Sequence, residues 1–139
     1  MEHQKVLLVE DNPDDAELTR RVLQKRDDRL DVTAVEDGET ALHLLFGGNG
    51  QSPFSPAFLL LDLGLPKIDG LEVLRQVRAH PLTRQTPVII MTGSSDDEAF
   101  LETCSLGVDA YVRKPIDILQ IDAAMRQLNL SSLLTGELP

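Results

Sequence analysis

Apolar residues fall along this chain in two rhythms. In the first they run unbroken: Val6-Leu7-Leu8-Val9, Phe58-Leu59-Leu60-Leu61 and Val88-Ile89-Ile90-Met91, with the more polar Asp31-Val32-Thr33-Ala34-Val35 and Val108-Asp109-Ala110-Tyr111-Val112 beside them. A run of about four to eight such residues bounded by turn formers predicts a strand covered on both faces, as in a parallel sheet. The second rhythm is helical. It places Ala16, Leu18, Thr19, Val22 and Leu23 on one stripe, Ala41, Leu42, Leu44, Leu45 and Phe46 on another, and recurs over 71–78 and over about 117–128. Start signals agree: Asn12 before Pro13, Asp37-Gly38, and Ser95-Asp96-Asp97-Glu98 read as a capping box opening a fourth helix. Pro81 and Gly107 read as stops, Glu17 and Arg21 as an i, i+4 pair, and residues 47–56, rich in Gly, Ser and Pro, as a loop. Five alternations of strand and helix predict an α/β fold with a doubly wound parallel sheet.

With 42% hydrophobic and 26% charged residues, the 139-residue chain is expected to form one globular domain over 1–139. Thirteen basic residues against 23 acidic ones give a net charge of -10, a surface that repels phosphate backbones and anionic lipid, so neither nucleic acid nor membrane is an expected partner. The single Cys104 excludes an internal disulfide and suits a reducing, cytoplasmic setting. The run at 6–9 is too short for a secretory signal, and nothing approaches the ~18 continuous apolar residues of a membrane span.

The chemistry lies where the strands end. Glu10-Asp11 follows the first, Asp62 the third, Thr92 the fourth and Lys114 the fifth. In a parallel sheet these ends share one edge, the edge at which open α/β folds bind ligands. Crowded carboxylates repel, and desolvation worsens the repulsion, so a cation and a lysine are needed to offset it. Oxygen ligands without a His or Cys cluster point to Mg²⁺ or another hard ion such as Mn²⁺. Such an ion commonly also holds phosphate oxygens, and Asp62 is then the natural nucleophile of a phosphoryl transfer.

Val9-Glu10-Asp11-Asn12, Leu61-Asp62-Leu63-Gly64-Leu65-Pro66-Lys67-Ile68-Asp69-Gly70, Met91-Thr92-Gly93 and Ala110-Tyr111-Val112-Arg113-Lys114-Pro115 resemble, in order and spacing, the four motifs of two-component response regulator receiver domains, over about residues 4–128. The resemblance implies the flavodoxin-like strand order 2-1-3-4-5, of which a receiver protein is a standing example. It implies that Asp62 accepts a phosphoryl group from the phosphohistidine of a sensor histidine kinase. Asp11 would ligate Mg²⁺ directly, Glu10 mostly through water, with Asp62 and the Gly64 carbonyl completing the protein's share. Lys114 would pair with the acceptor and then the phosphate, Pro115 would make a cis peptide, and Thr92 and Tyr111 would be the switch pair. Gly64 departs from many relatives in lacking a side chain near the attacking water. Such a protein is not an enzyme on other substrates; it catalyses only its own phosphorylation and dephosphorylation.

The Leu-Pro ending, the loop before Phe58 and Leu65-Pro66-Lys67-Ile68-Asp69-Gly70 resemble the stand-alone regulators that serve bacterial phytochromes. Kinase docking would then use the first helix and the loop after Lys114, with Leu18, Thr19, Val22 and Ile116 as candidates for apolar contact, some of which must instead fill the core. Leu128, Leu130, Leu133, Leu134 and Leu138 form an apolar extension beyond the main unit, expected to pack on the chain's own body or on a second copy through helix four, strand five and helix five. Rival readings are a Mg²⁺-dependent aspartyl-phosphate phosphohydrolase, which usually carries a second aspartate where Gly64 stands, a phosphorylation-independent interaction module, and a flavin binder on the same fold. Asp69 before Gly70 reads as turn and cap chemistry, and His3, His43 and His80 have no partners at metal or triad spacing.

Overall fold

The computed structural model describes residues 3–134, with side chains through residue 128. Strand and helix alternate: β1 Gln4–Val9, α1 Pro13–Arg26, β2 Leu30–Val35, α2 Gly38–Phe46, β3 Phe58–Asp62, α3 Gly70–Ala79, β4 Val88–Thr92, α4 Ser95–Thr103, β5 Ala110–Arg113 and α5 Ile118–Leu134. All pairings are parallel and the order is β2-β1-β3-β4-β5. Among the described residues no helix is long and apolar enough to cross a membrane.

The unbroken apolar runs have a direct cause, since both faces of the sheet are covered. Leu7, Val9, Leu59, Leu61, Val88 and Ile90 pack with Ala41, Leu45, Val73, Leu74 and Leu101, from α2, α3 and α4. Their neighbours Val6, Leu8, Phe58, Leu60, Ile89 and Met91 pack with Leu23, Ile121 and Ala124, from α1 and α5. Leu59, Leu60 and Leu61 are wholly buried, each contributing about 1.5–3 kcal/mol relative to an exposed side chain.

Helix ends follow cap chemistry, with three departures from expectation. Asn12 accepts from the Asp14 and Asp15 amides, Asp37 from Thr40 and Asp69 from Glu72. The cap of α4, however, is Ser94, which accepts from the Asp96 amide, so the capping group lies one residue before the expected box. That helix ends at Thr103; Gly107, at φ +67°, shapes the connection beyond it. Helix α5 continues past residue 128 to Leu134, because Asn129, Ser131 and Ser132 each cost a helix only a few tenths of a kcal/mol. The packing expected of Leu130, Leu133, Leu134 and Leu138 lies outside the described side chains.

Two close approaches lock the frame. A Cβ on Gly70 would lie 2.5 Å from the Asp62 carbonyl oxygen and 2.7 Å from Leu63 Cα, so α3 begins directly on the end of β3, where only glycine fits. Arg78, on α3, fans into the opposite edge. It donates to the carbonyls of Thr86 at 2.7 Å, Leu106 at 2.8 Å, Gly107 at 2.8 Å and Arg84 at 3.1 Å, and to Asp109 Oδ2 at 3.3 Å. Asp109 Oδ2 also accepts from the Val88 amide at 2.7 Å, so one guanidinium ties α3 to the starts of β4 and β5.

Candidate functional site

At the carboxyl edge of the sheet, Glu10, Asp11, Asn12, Asp15, Asp62, Leu63, Gly64, Met91, Thr92, Gly93, Asp97 and Lys114 line one cavity of about 500 Å³. The pleat decides which side each residue serves. Leu8 stands opposite Leu60 in the β1–β3 register, and two residues further on come Glu10 and Asp62, on the face covered by α1 and α5. In β4 the parity is reversed: Ile89 and Met91 share that face, so Thr92 belongs to the other, beneath α4. Tyr111 and Arg113, registered with Ile90 and Thr92, lie on the α4 side as well.

Ligand oxygens of Glu10, Asp11 and Asp62 lie within 4.8 Å of one another. Asp62, 5% exposed, is held at both oxygens: Oδ1 accepts from the Gly64 amide at 3.0 Å and Oδ2 from Lys114 Nζ at 2.9 Å. Lys114 Nζ also lies 2.8 Å from Glu10 Oε1 and 4.0 Å from Asp15 Oδ2. The first contact is off the hydrogen-bonding direction, leaving Glu10 Oε1 a buried oxygen without a hydrogen-bond donor. Glu10 Oε2 accepts from the Asn12 amide at 3.2 Å.

Burial is the main force on Glu10, and with the neighbouring Asp62 carboxylate it outweighs Lys114 and the Asn12 amide, pushing its pKa from 4.5 up to about 7. Burial alone would lower the pKa of Lys114, but its contacts with Glu10 and Asp62 raise it instead, so the ammonium stays charged. An orphaned buried oxygen beside two further carboxylates, with no nitrogen or sulfur donor in the set, fits a hard divalent cation.

The switch candidates are held from α4. Thr92 Oγ1 donates to Asp97 Oδ2 at 2.5 Å and to the Ser94 carbonyl at 3.0 Å. The Tyr111 hydroxyl donates to Glu102 Oε1 at 3.0 Å; burial and the Glu102 charge raise its pKa. Arg113 reaches Glu98 at 3.5 Å. The Lys114–Pro115 bond is cis. Gly64 lines the cavity, and Asp69 is spent on capping α3.

The expected docking residues do not share one surface. Leu18 is 44% exposed on α1, but Thr19 is 1% exposed and Ile116 7% exposed, both interior positions, and Val22 packs against the α1–α5 side of the core. Thr19 shares the inward stripe of α1 with Leu23, the other buried residue of that helix. Asp97 and Asp15 were not singled out from the sequence: an acid in the first turn of a helix looks like dipole chemistry, and nothing local marks it as reaching a strand end.

Comparison with known proteins agrees with this geometry. The chain is 40% identical to the solved bacteriophytochrome response regulator RtBRR, with a TM-score of 0.83, over 91% of this chain and 78% of that one. It is 38% identical to the bacteriophytochrome response regulator AtBRR, with a TM-score of 0.81, over 93% and 94%. Response regulator Rcp1 of Synechocystis sp. is 30% identical over 96% of this chain and 92% of its own; its Mn²⁺-bound structure superposes with a TM-score of 0.71 over 98% and 97%. The model of the response regulator receiver domain matches residues 6–126, and with Asp62, the acid cluster and Lys114 meeting at one sheet edge, the chain belongs to that family.

Proposed function

We propose that this protein is a stand-alone response regulator that takes a phosphoryl group onto Asp62 from a histidine kinase, in the cytoplasm, and signals by being phosphorylated. The observation that carries the reading is the double hold on Asp62, with Gly64 N–H on one oxygen and Lys114 on the other, inside a cavity also lined by Glu10 and Asp11. A carboxylate oxygen of Asp62 attacks phosphorus; the new O–P bond forms as the P–N bond to imidazole breaks, and the electron pair returns to the ring nitrogen, which takes up a proton. Lys114 carries positive charge to the transferring oxygens, where such reactions gain most of their rate. Asp11, Asp62, the Gly64 carbonyl and, mostly through water, Glu10 would hold Mg²⁺ or Mn²⁺, whose charge would offset that of the phosphoryl oxygens. The phosphohydrolase alternative is disfavoured by Gly64, which leaves no acid two residues after the nucleophile.

A kinase of the bacterial phytochrome type is the proposed donor, supported by the similarity to RtBRR and AtBRR. Exposed Leu18 remains as the apolar contact on α1. Phe100 on α4 and Leu119 on α5 are 54% and 79% exposed, and they support pairing of two copies through α4, β5 and α5. Sedimentation equilibrium reads this directly; a monomer at all concentrations dismisses it. The test of function is transfer from phosphorylated phytochrome kinase to wild type and to Asp62→Asn, with Mg²⁺ and with chelator. Label is expected on wild type with Mg²⁺ alone; equal labelling of the variant would reject Asp62 as acceptor.

A further inference from the structure

Helix α4 is acidic and weakly anchored. Asp96, Asp97, Glu98 and Glu102 lie on it, and Leu101 is its buried side chain. Three of these acids reach residues at the ends of β4 and β5: Asp97 to Thr92, Glu98 to Arg113 and Glu102 to Tyr111. The first differs from the others in place. Thr92 is 2% exposed, and Asp97 lines the same cavity as Asp62 and Lys114. A hydroxyl has one proton to give. Here it is directed to the Asp97 carboxylate at 2.5 Å, with the Ser94 carbonyl a more distant acceptor at 3.0 Å, while the Ser94 amide donates to the hydroxyl oxygen at 3.1 Å. The Thr92 hydroxyl is therefore committed on the α4 side of the sheet, and its proton is not free for a group on Asp62.

We propose that Asp97 is the resting-state latch of the switch: it holds the Thr92 proton against α4, and it must give that proton up before Thr92 can donate to a phosphoryl oxygen on Asp62. The inference rests on the reading of Asp62 as acceptor and adds a positioning residue that opposes occupancy of the site. Two anionic acceptors compete for one donor, so each state excludes the other. Occupancy of Asp62 frees the first turn of α4, and loss of Asp97 favours occupancy.

The test uses beryllofluoride with Mg²⁺, a non-hydrolysable stand-in for the phosphoryl group, titrated into wild type, Asp97→Ala, Asp97→Asn, Thr92→Val and the Thr92→Val, Asp97→Ala double variant, followed by ¹⁹F resonance. Losing a hydrogen bond to a charged acceptor is expected to tighten the adduct about tenfold in Asp97→Ala. In the Thr92→Val background the same substitution is expected to change affinity by less than about twofold, since the contested proton is gone. A tenfold gain that persists without the hydroxyl would show that Asp97 acts through its charge alone and would overturn the latch, as would unchanged affinity in both Asp97 variants. If wild type forms no adduct, the assignment of Asp62 fails and the latch with it. Amide exchange without beryllofluoride supplies a separate reading: Asp97→Asn is expected to lose protection in the first turn of α4, and full retention argues against the latch.

Discussion

Replacing Lys114 by Met removes the one ammonium that contacts both Glu10 and Asp62 while keeping an unbranched side chain of similar length. Glu10 is 2% exposed and titrates near 7 in the folded state against 4.5 ordinarily. The native protein therefore holds that proton more tightly than the unfolded chain does. This contribution is fully present below about pH 4.5 and is withdrawn as pH rises to about 7, amounting to about 3 kcal/mol across the interval. Lys114 is what keeps the Glu10 pKa from rising further. Taking one partner from a buried ion pair costs about 3–5 kcal/mol when the remaining charge cannot be neutralised. At pH 8 without divalent ions, Lys114→Met should lose about that much. At pH 6 Glu10 can take a proton, and the loss should fall to about 1–2 kcal/mol. Mg²⁺ at about a hundred times its dissociation constant should return about 2.7 kcal/mol. Urea unfolding followed by circular dichroism, at both pH values with chelator or with Mg²⁺, measures each quantity. A destabilisation of the same size at pH 6 and pH 8 would refute the reasoning, since it would mean that the effect of the lysine does not run through the charge on Glu10.

Gly70→Ala should destabilise by about 2–3 kcal/mol, because its Cβ would press on the Asp62 carbonyl and the Leu63 backbone, neither of which can retreat without moving the acceptor. Thermal unfolding gives the cost, and a loss below 0.5 kcal/mol would show that the β3–α3 junction yields. Arg78→Lys should cost about 3 kcal/mol although the charge is kept, since an ammonium cannot span the carbonyls of Thr86, Leu106 and Gly107 together. Denaturant titration of Arg78→Lys beside Arg78→Met checks this: the two should be similarly unstable, and a near-wild-type lysine variant contradicts the clamp.

The sheet was legible because its residues obey a simple rule. Runs such as Val88-Ile89-Ile90-Met91 are apolar at every position only when both faces are covered, and strand ends such as Asp62 and Lys114 then fall on one edge by topology alone. What escaped were features whose cause is remote in sequence. Arg78 sits on an amphipathic helix where a surface charge is the ordinary expectation, and its acceptors lie as far as 28 to 31 residues onward. Asp97 has the look of a first-turn acid, and its tie to Thr92 depends on how α4 settles on β4. The end of α5 lay past residues that only mildly disfavour a helix.

The reversed parity of β4 relative to β1 and β3 has a consequence for how such a protein can diversify. Within the sheet a strand side chain packs into one layer of the sandwich or the other, and only past the strand ends can the two meet. Here Asp62 and Lys114 belong to the layer beside α1, while Thr92 and Tyr111 belong to the layer beside α4. On the proposed function, donor choice would be read on one side of the sheet and output on the other, the two meeting only at the strand ends where Asp62 and Thr92 line one cavity. Substitutions around α1 would then retune which kinase is heard while the face beside α4 keeps its own side chains.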